Sequence, residues 1–280
     1  MKKKLAIISA FMAVVCFVSA IICVVRIDNN AYFSPDYEKQ DLSALINKES
    51  YCEEDYKTFF YQTGLGKIAI DQLKQTETFT SSVMKAQENF FAPKNVTCQR
   101  KAITTNMEYF VDSAGFMERG FSIFCAQAGD VVIMESSHSF GWRHGHAGLV
   151  LDEMYTLEAP IINVPAGRYY LSEWETYPTF MLLRLKDADK EFTENLAKDA
   201  YKNIKGARYS VLAGVFNKKY TDKTPDGVQC ASMVWYAYKN AGIDIDASGG
   251  KIVTVQDIKN SDKFEIVQIF GYNPAQYWQK

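Results

Sequence analysis

From Leu5 to Val25 the chain runs without a single charge, and no other feature restricts its fold so strongly. About 20 such residues at 1.5 Å per residue match the hydrocarbon thickness of a bilayer. Lys2, Lys3 and Lys4 precede the run and only Arg26 comes after it. That bias keeps the N-terminus in the cytoplasm and sends the downstream chain across the membrane. The expectation is an uncleaved signal anchor, a transmembrane helix over residues 1–26, with 27–280 at the extracytoplasmic face. Cleavage at the small residues Val18-Ser19-Ala20 is the alternative, and would give a secreted protein. A buried core helix is disfavoured because the run has no polar face.

Downstream the chain is an ordinary globular sequence, 48% hydrophobic and 23% charged, which excludes a disordered or collagenous protein. Four of the 31 basic residues lie in the acid-free first 26, so the net charge of −2 becomes −6 for the remainder. A mildly acidic body lacks the basic footprint that phosphate binding needs, which argues against a nucleic-acid partner. Cys16 and Cys23 fall in the apolar run, whereas Cys52, Cys98, Cys125 and Cys230 would meet an oxidising compartment. A Cys52–Cys98 or a Cys98–Cys125 disulfide is open, since spacing does not set connectivity.

Helical periodicity runs from Asp41 to about Phe91, interrupted at Thr63-Gly64-Leu65-Gly66, and gives residues 27–124 the look of a helical lead-in packing on the C-terminal body. From 125 the texture is α+β. Short strands are expected at Val131–Met134, Ala147–Leu151, Tyr155–Ala159 and Thr179–Leu185, with helices from Glu191 to Ile204 and from Gln229 to Gly242. A small antiparallel sheet flanked by helices is the architecture these elements suggest.

Chemistry concentrates in this second part. Asp226-Gly227 signals a turn, and Cys230 comes next in the first turn of a helix, on one stripe with Val234, Ala237 and Ala241. Backbone N–H groups at a helix start favour a thiolate, the form that attacks carbonyls. The body holds three histidines, His138, His144 and His146. His146 opens a strand on which period 2 places it with Gly148 and Val150, and a hairpin with an odd loop would set it facing Glu158. Thiol, imidazole and carboxylate form a nucleophile, a base and an orienting group. A rival set is His144, His146 and Glu158 as ligands for zinc or iron.

Together these segments resemble the NlpC-type papain-like cysteine hydrolases, in the circularly permuted branch that includes YiiX-like and YebB-like proteins. The resemblance rests on three stretches in one order. They are Gly129-Asp130-Val131-Val132 with His146-Ala147-Gly148, then Gly206-Ala207-Arg208-Tyr209, then Gln229-Cys230-Ala231-Ser232-Met233-Val234 followed by Gly242-Ile243-Asp244-Ile245. Gln229 stands where the family has Asp, and Ala231-Ser232 where it has Ser-Gly. The resemblance implies a permuted papain-like fold over 125–280 and acyl transfer without a metal or other cofactor. Cys230, His146 and Glu158 would be catalytic, with Tyr209 and Gln229 at the oxyanion or substrate. It implies amide bonds of cell-envelope peptidoglycan as substrate, or else a lipid amide or ester. Trp142, Tyr169, Tyr170 and Trp174 would then be candidates for an acyl pocket. A catalytically silent envelope-binding module is the reading from a different class.

Overall fold

The computed structural model describes residues 2–27, with side chains from 7 to 20, and residues 32–102, 105–139, 142–210, 213, 219, 225 and 227–278. The side chain of Cys23 and Asp226, the first residue of the turn expected before Cys230, lie outside the described residues.

Helix α1 spans Lys2–Ile27. The expectation of a transmembrane helix there does not hold: among the described residues, no helix is long and apolar enough to cross a membrane.

The periodic stretch from Asp41 to Phe91 is helical, whereas the remainder of the expected helical lead-in, up to 124, carries two strands. The helical stretch comprises α2 (Ser43–Ile46), α3 (Glu53–Thr63), α4 (Lys67–Lys74) and α5 (Phe79–Phe91). Helix α3 ends where Gly64 takes φ 71°, a left-handed cap that glycine adopts without strain. Its carbonyl then accepts from Ile269 N and ties the helical region to a strand near the C-terminus.

Two strands come next that carry no clear signal in their residues, β1 (Asn95–Arg100) and β2 (Thr105–Val111). After them lie β3 (Val131–Met134), β4 (Ser137–Ser139), β5 (Trp142–Arg143), β6 (His146–Val150), β7 (Tyr155–Glu158), β8 (Gly167–Tyr170), a 3₁₀ helix at Leu171–Thr176 and β9 (Phe180–Leu185). The chain continues through α6 (Lys190–Ile204), β10 (Arg208–Tyr209), β11 (Gly227–Val228), α7 (Cys230–Asn240), α8 (Val255–Lys259), β12 (Phe264–Phe270) and a last 3₁₀ turn at Pro274–Gln276.

Six strands form the main sheet in the order β12-β9-β3-β6-β7-β8, antiparallel throughout. A second antiparallel sheet runs β1-β2-β4-β5, and β10 pairs in parallel with β11. The main sheet is apolar on both faces because both are covered. On β3, Val131 and Ile133 pack into one core with α6 and α7, while Val132 and Met134 face the lead-in helices. The result is three layers of α+β: helices, sheet and helices.

The four cysteines beyond the first helix, Cys52, Cys98, Cys125 and Cys230, are all free thiols. Neither of the disulfides left open by the sequence is formed.

Candidate active site

The hairpin of β6 and β7 sets the register of the site. Leu149 pairs with Leu157 and Val150 with Thr156. Continued one step, the register puts Gly148, not His146, opposite Glu158. His146 and Glu158 share a face but sit diagonally, a separation that a long side chain can bridge. Gly148 provides the path: a Cβ there would lie 3.2 Å from Glu158 Cγ. Glu158 Oε2 reaches His146 Nε2 at 2.8 Å. The two side chains are buried, at 6% exposure each.

With Nε2 taken by the carboxylate, Nδ1 is the nitrogen left for the thiol, and Cys230 is hydrogen-bonded to the imidazole. Helix α7 packs on the sheet face opposite to that of Glu158, so sulfur and ring meet at the end of β6. There the backbone N–H groups of Ala147 and Ala231 also reach the sulfur. The local sequence builds this helix start. Gln229 is the N-cap, its Oε1 accepts from Ala231 N at 3.2 Å, and Ser232 Oγ accepts from Gln229 N to complete a capping box.

Electrostatics follow from the geometry. Burial by itself would strip His146 of its proton. Hydrogen bonds to Cys230 and Glu158, and their negative charges, outweigh it and push the imidazolium up to about 10. Burial likewise opposes a Cys230 thiolate. The bond to His146, its positive charge and the two backbone N–H groups win, and the thiol falls below its usual value. The arrangement favours a thiolate–imidazolium pair held by a carboxylate.

Of the two further residues implied by the resemblance, Tyr209 lies beside the site through the β10–β11 pairing, opposite Val228 and two residues from the thiol. Burial and the negative charge of Cys230 raise its hydroxyl, which stays a proton donor. Gln229 faces the sulfur with its amide oxygen, at 3.5 Å. Its nitrogen donates to Val253 O, and these two partners fix the amide orientation. It acts as a cap and a tether for the 253 loop, with its donor turned away from the sulfur.

His144 does not join the site. Its Nε2 meets Ser139 Oγ at 3.0 Å and its Nδ1 the Gly145 carbonyl oxygen at 2.9 Å. Among the described residues no cluster of three or more His, Cys, Asp or Glu could hold a metal, so the rival ligand set has no geometry behind it. The four aromatics considered for an acyl pocket separate: Trp142 and Tyr170 are exposed, Tyr169 is half-buried and Trp174 is buried against the carboxylate. A cavity of about 860 Å³ opens elsewhere, at the turn end of the hairpin beside α6, where Arg168 lies 4.9 Å from both the Tyr155 and Tyr201 rings.

The sequence does not single out Thr156, and marks Trp174 only as an acyl-pocket candidate, yet both contact the carboxylate. Both donate to Glu158 Oε1. Period 2 placed Thr156 on the face of Glu158, a signal that was available. Trp174 comes from the 3₁₀ helix, and nothing in its sequence surroundings placed it against Glu158.

No protein-family model matches the chain, and no curated protein does. A solved structure does, the metalloprotein yiiX of Escherichia coli O157:H7, with a TM-score of 0.38 and 17% identity, covering 50% of this chain and 96% of that one. The likeness to a YiiX protein is thus distant and transfers no residue's role.

Proposed function

We propose that this protein is a cysteine hydrolase of the permuted NlpC kind that cleaves amide bonds through an acyl-enzyme. The observation that carries the reading is the buried chain of contacts from Cys230 through His146 to Glu158, with the sulfur at the first turn of a helix. Cys230 thiolate adds to the carbonyl carbon and forms a tetrahedral intermediate. His146 gives its proton to the leaving amine, and a thioester remains. Water, relieved of a proton by the now neutral His146, then adds to the thioester, the sulfur leaves as thiolate, and the acid is released with the thiolate–imidazolium pair restored. Glu158 holds the ring in place and favours its charged form. The Cys230 backbone N–H and the Tyr209 hydroxyl are the proposed oxyanion donors, a kind of contact worth roughly 3 kcal/mol per donor.

Peptide bonds of peptidoglycan are the proposed substrate, with lipid amides and esters the competing class. The protein is incubated with purified cell wall and, separately, with lipid amides and esters, and the products are read by mass spectrometry. Release of cell-wall peptides by the wild type and not by Cys230→Ala supports the reading. Fatty acid release dependent on Cys230 moves the substrate to lipids and keeps the chemistry. Envelope material retained equally by wild type and Cys230→Ala, with no product from either, makes the protein a binding module.

A further inference from the structure

Glu158 has two oxygens, and the one not facing His146 is the better guarded. Oε1 accepts from Thr156 Oγ1 on its own strand and from Trp174 Nε1 at 2.8 Å. The same indole lies almost parallel to the His146 ring, with centroids 5.3 Å apart and an interplanar angle of 12°. Strand β6 surrenders a side chain to admit it, since a Cβ on Gly148 would stand 3.0 Å from Trp174 Cζ2. Tyr177 meets the indole edge-on. Trp174 therefore touches both partners of the thiol's base by different parts, the N–H on the carboxylate and the π face on the imidazole.

We propose that Trp174 is a positioning residue that keeps Cys230 and His146 in their charge-separated form. The inference rests on the nucleophile reading above. A carboxyl group rotates about a broad two-fold torsion. A donor fixed on Oε1 from another element stops that rotation and leaves Oε2 aimed at Nε2. A cation under an aromatic face is stabilised by the ring quadrupole, most strongly for indole and where water is excluded. Thr156 shares the first task but cannot reach the second. Packing alone would need neither the indole N–H nor the parallel orientation.

The titratable groups facing the trio from neighbouring elements are His144, Tyr169, Glu173, Tyr177 and Tyr209. Burial lowers His144 and raises the three tyrosines, so these stay neutral near pH 7. Burial and the charge of Glu158 raise Glu173. Glu173→Gln is the control for that group.

The test is the pH dependence of Cys230 alkylation by iodoacetamide in the full chain, located by peptide mass spectrometry. Trp174→Phe keeps a ring and loses the N–H, and the midpoint of reactivity should rise by about one pH unit, a tenfold loss of rate on the acid side. Trp174→Leu should move it further, and Gly148→Ala, which displaces the indole, in the same direction. Variants that melt earlier but keep the wild-type midpoint overturn the proposal. Should Trp174→Leu fail to fold, Trp174→Phe decides. A wild-type midpoint that is depressed and sensitive to His146→Ala, yet indifferent to Trp174, sinks this inference alone. A wild-type Cys230 with ordinary thiol behaviour sinks the nucleophile reading with it.

Discussion

Among the described residues two cysteine–histidine pairs stand out, and their environments drive them in opposite directions. Cys230 and His146 are buried, yet the histidine is raised and the thiol lowered. Cys98 Sγ lies 3.5 Å from His138 Nε2, but there the partial burial of the sulfur, with Glu108 nearby, raises the thiol, and burial, with Arg143 nearby, lowers the histidine. The difference is in the surroundings of each pair. At Cys230 two backbone N–H groups face the sulfur and a carboxylate touches the ring. At Cys98 the nearby carboxylate, Glu108, is held by Arg143 in a contact with both of its oxygens. Thiol and imidazole in contact are thus a neutral pair by default. The charged form needs a carboxylate free to face the histidine and donors at the sulfur.

The strongest test of that contrast is deletion. Cys230→Ala should abolish turnover, a loss of about 10⁴-fold or more, and His146→Ala should cost on the order of 10³-fold. Either outcome is read by steady-state kinetics on whichever amide substrate the wild type accepts. Residual activity near wild type in either variant would move the chemistry elsewhere. Glu158→Gln keeps the shape and removes the charge. Its expected cost is smaller, about 10- to 100-fold in kcat/KM. Because the charge of Glu158 helps raise His146, the alkaline limb of the pH–rate profile should move to lower pH. An unmoved limb would mean that the carboxylate only fills space.

A further consequence appears in stability. His146 is raised from 6.5 to about 10, so its contribution is complete below 6.5 and is lost as pH climbs through about 10. Cys230 is lowered from 9.0, so its contribution is complete above 9.0 and is lost as pH falls through the folded value. At pH values above both 6.5 and the folded Cys230 value and below 9.0, the folded and unfolded pairs each hold one proton, and the two trends offset. The Tm difference between wild type and the Cys230→Ala/His146→Ala double variant should be flat across that window and shrink on both sides. A difference that slopes steadily through neutral pH would deny the ion pair.

Much of this site is visible in the residues alone, and the reasons differ from element to element. β6, β7 and α7 are legible because one local pattern sets each: period 2 from His146 to Val150, and an apolar stripe that starts at Cys230. The diagonal placement of His146 and Glu158 is not, since the register depends on how many residues the turn between them removes from the ladder. β1 and β2 are obscure for another reason. Asn95–Arg100 is mostly exposed and polar, so no buried face imprints a period on it. Trp174 illustrates a third limit. Its contacts depend on Gly148 of β6 and Glu158 of β7, earlier along the chain, and no local pattern carries such information. The long apolar run of the N-terminus suggests a span, whereas among the described residues no helix is long and apolar enough to cross a membrane.

The smallest expected effect belongs to the second pair, and it completes the contrast. Cys98 is exposed on β1 while His138 is buried on β4, and both stand beside β2, with Cys98 opposite Glu108 and His138 opposite Asn106. If contact with an imidazole were enough to activate a thiol, exposed Cys98 would react with an electrophile before buried Cys230. The electrostatics argue the reverse: at pH 7 Cys98 is a neutral thiol, and accessibility cannot replace the missing thiolate. Substoichiometric iodoacetamide at pH 7 should therefore label Cys230 first, and Cys98→Ser should leave both turnover and that labelling within about twofold of wild type. Arg143→Gln would release Glu108, remove the positive charge near His138 and raise that histidine. Preferential labelling of Cys98 in the wild type would show that exposure outweighs the carboxylate and the helix start, and the contrast between the two pairs would fail.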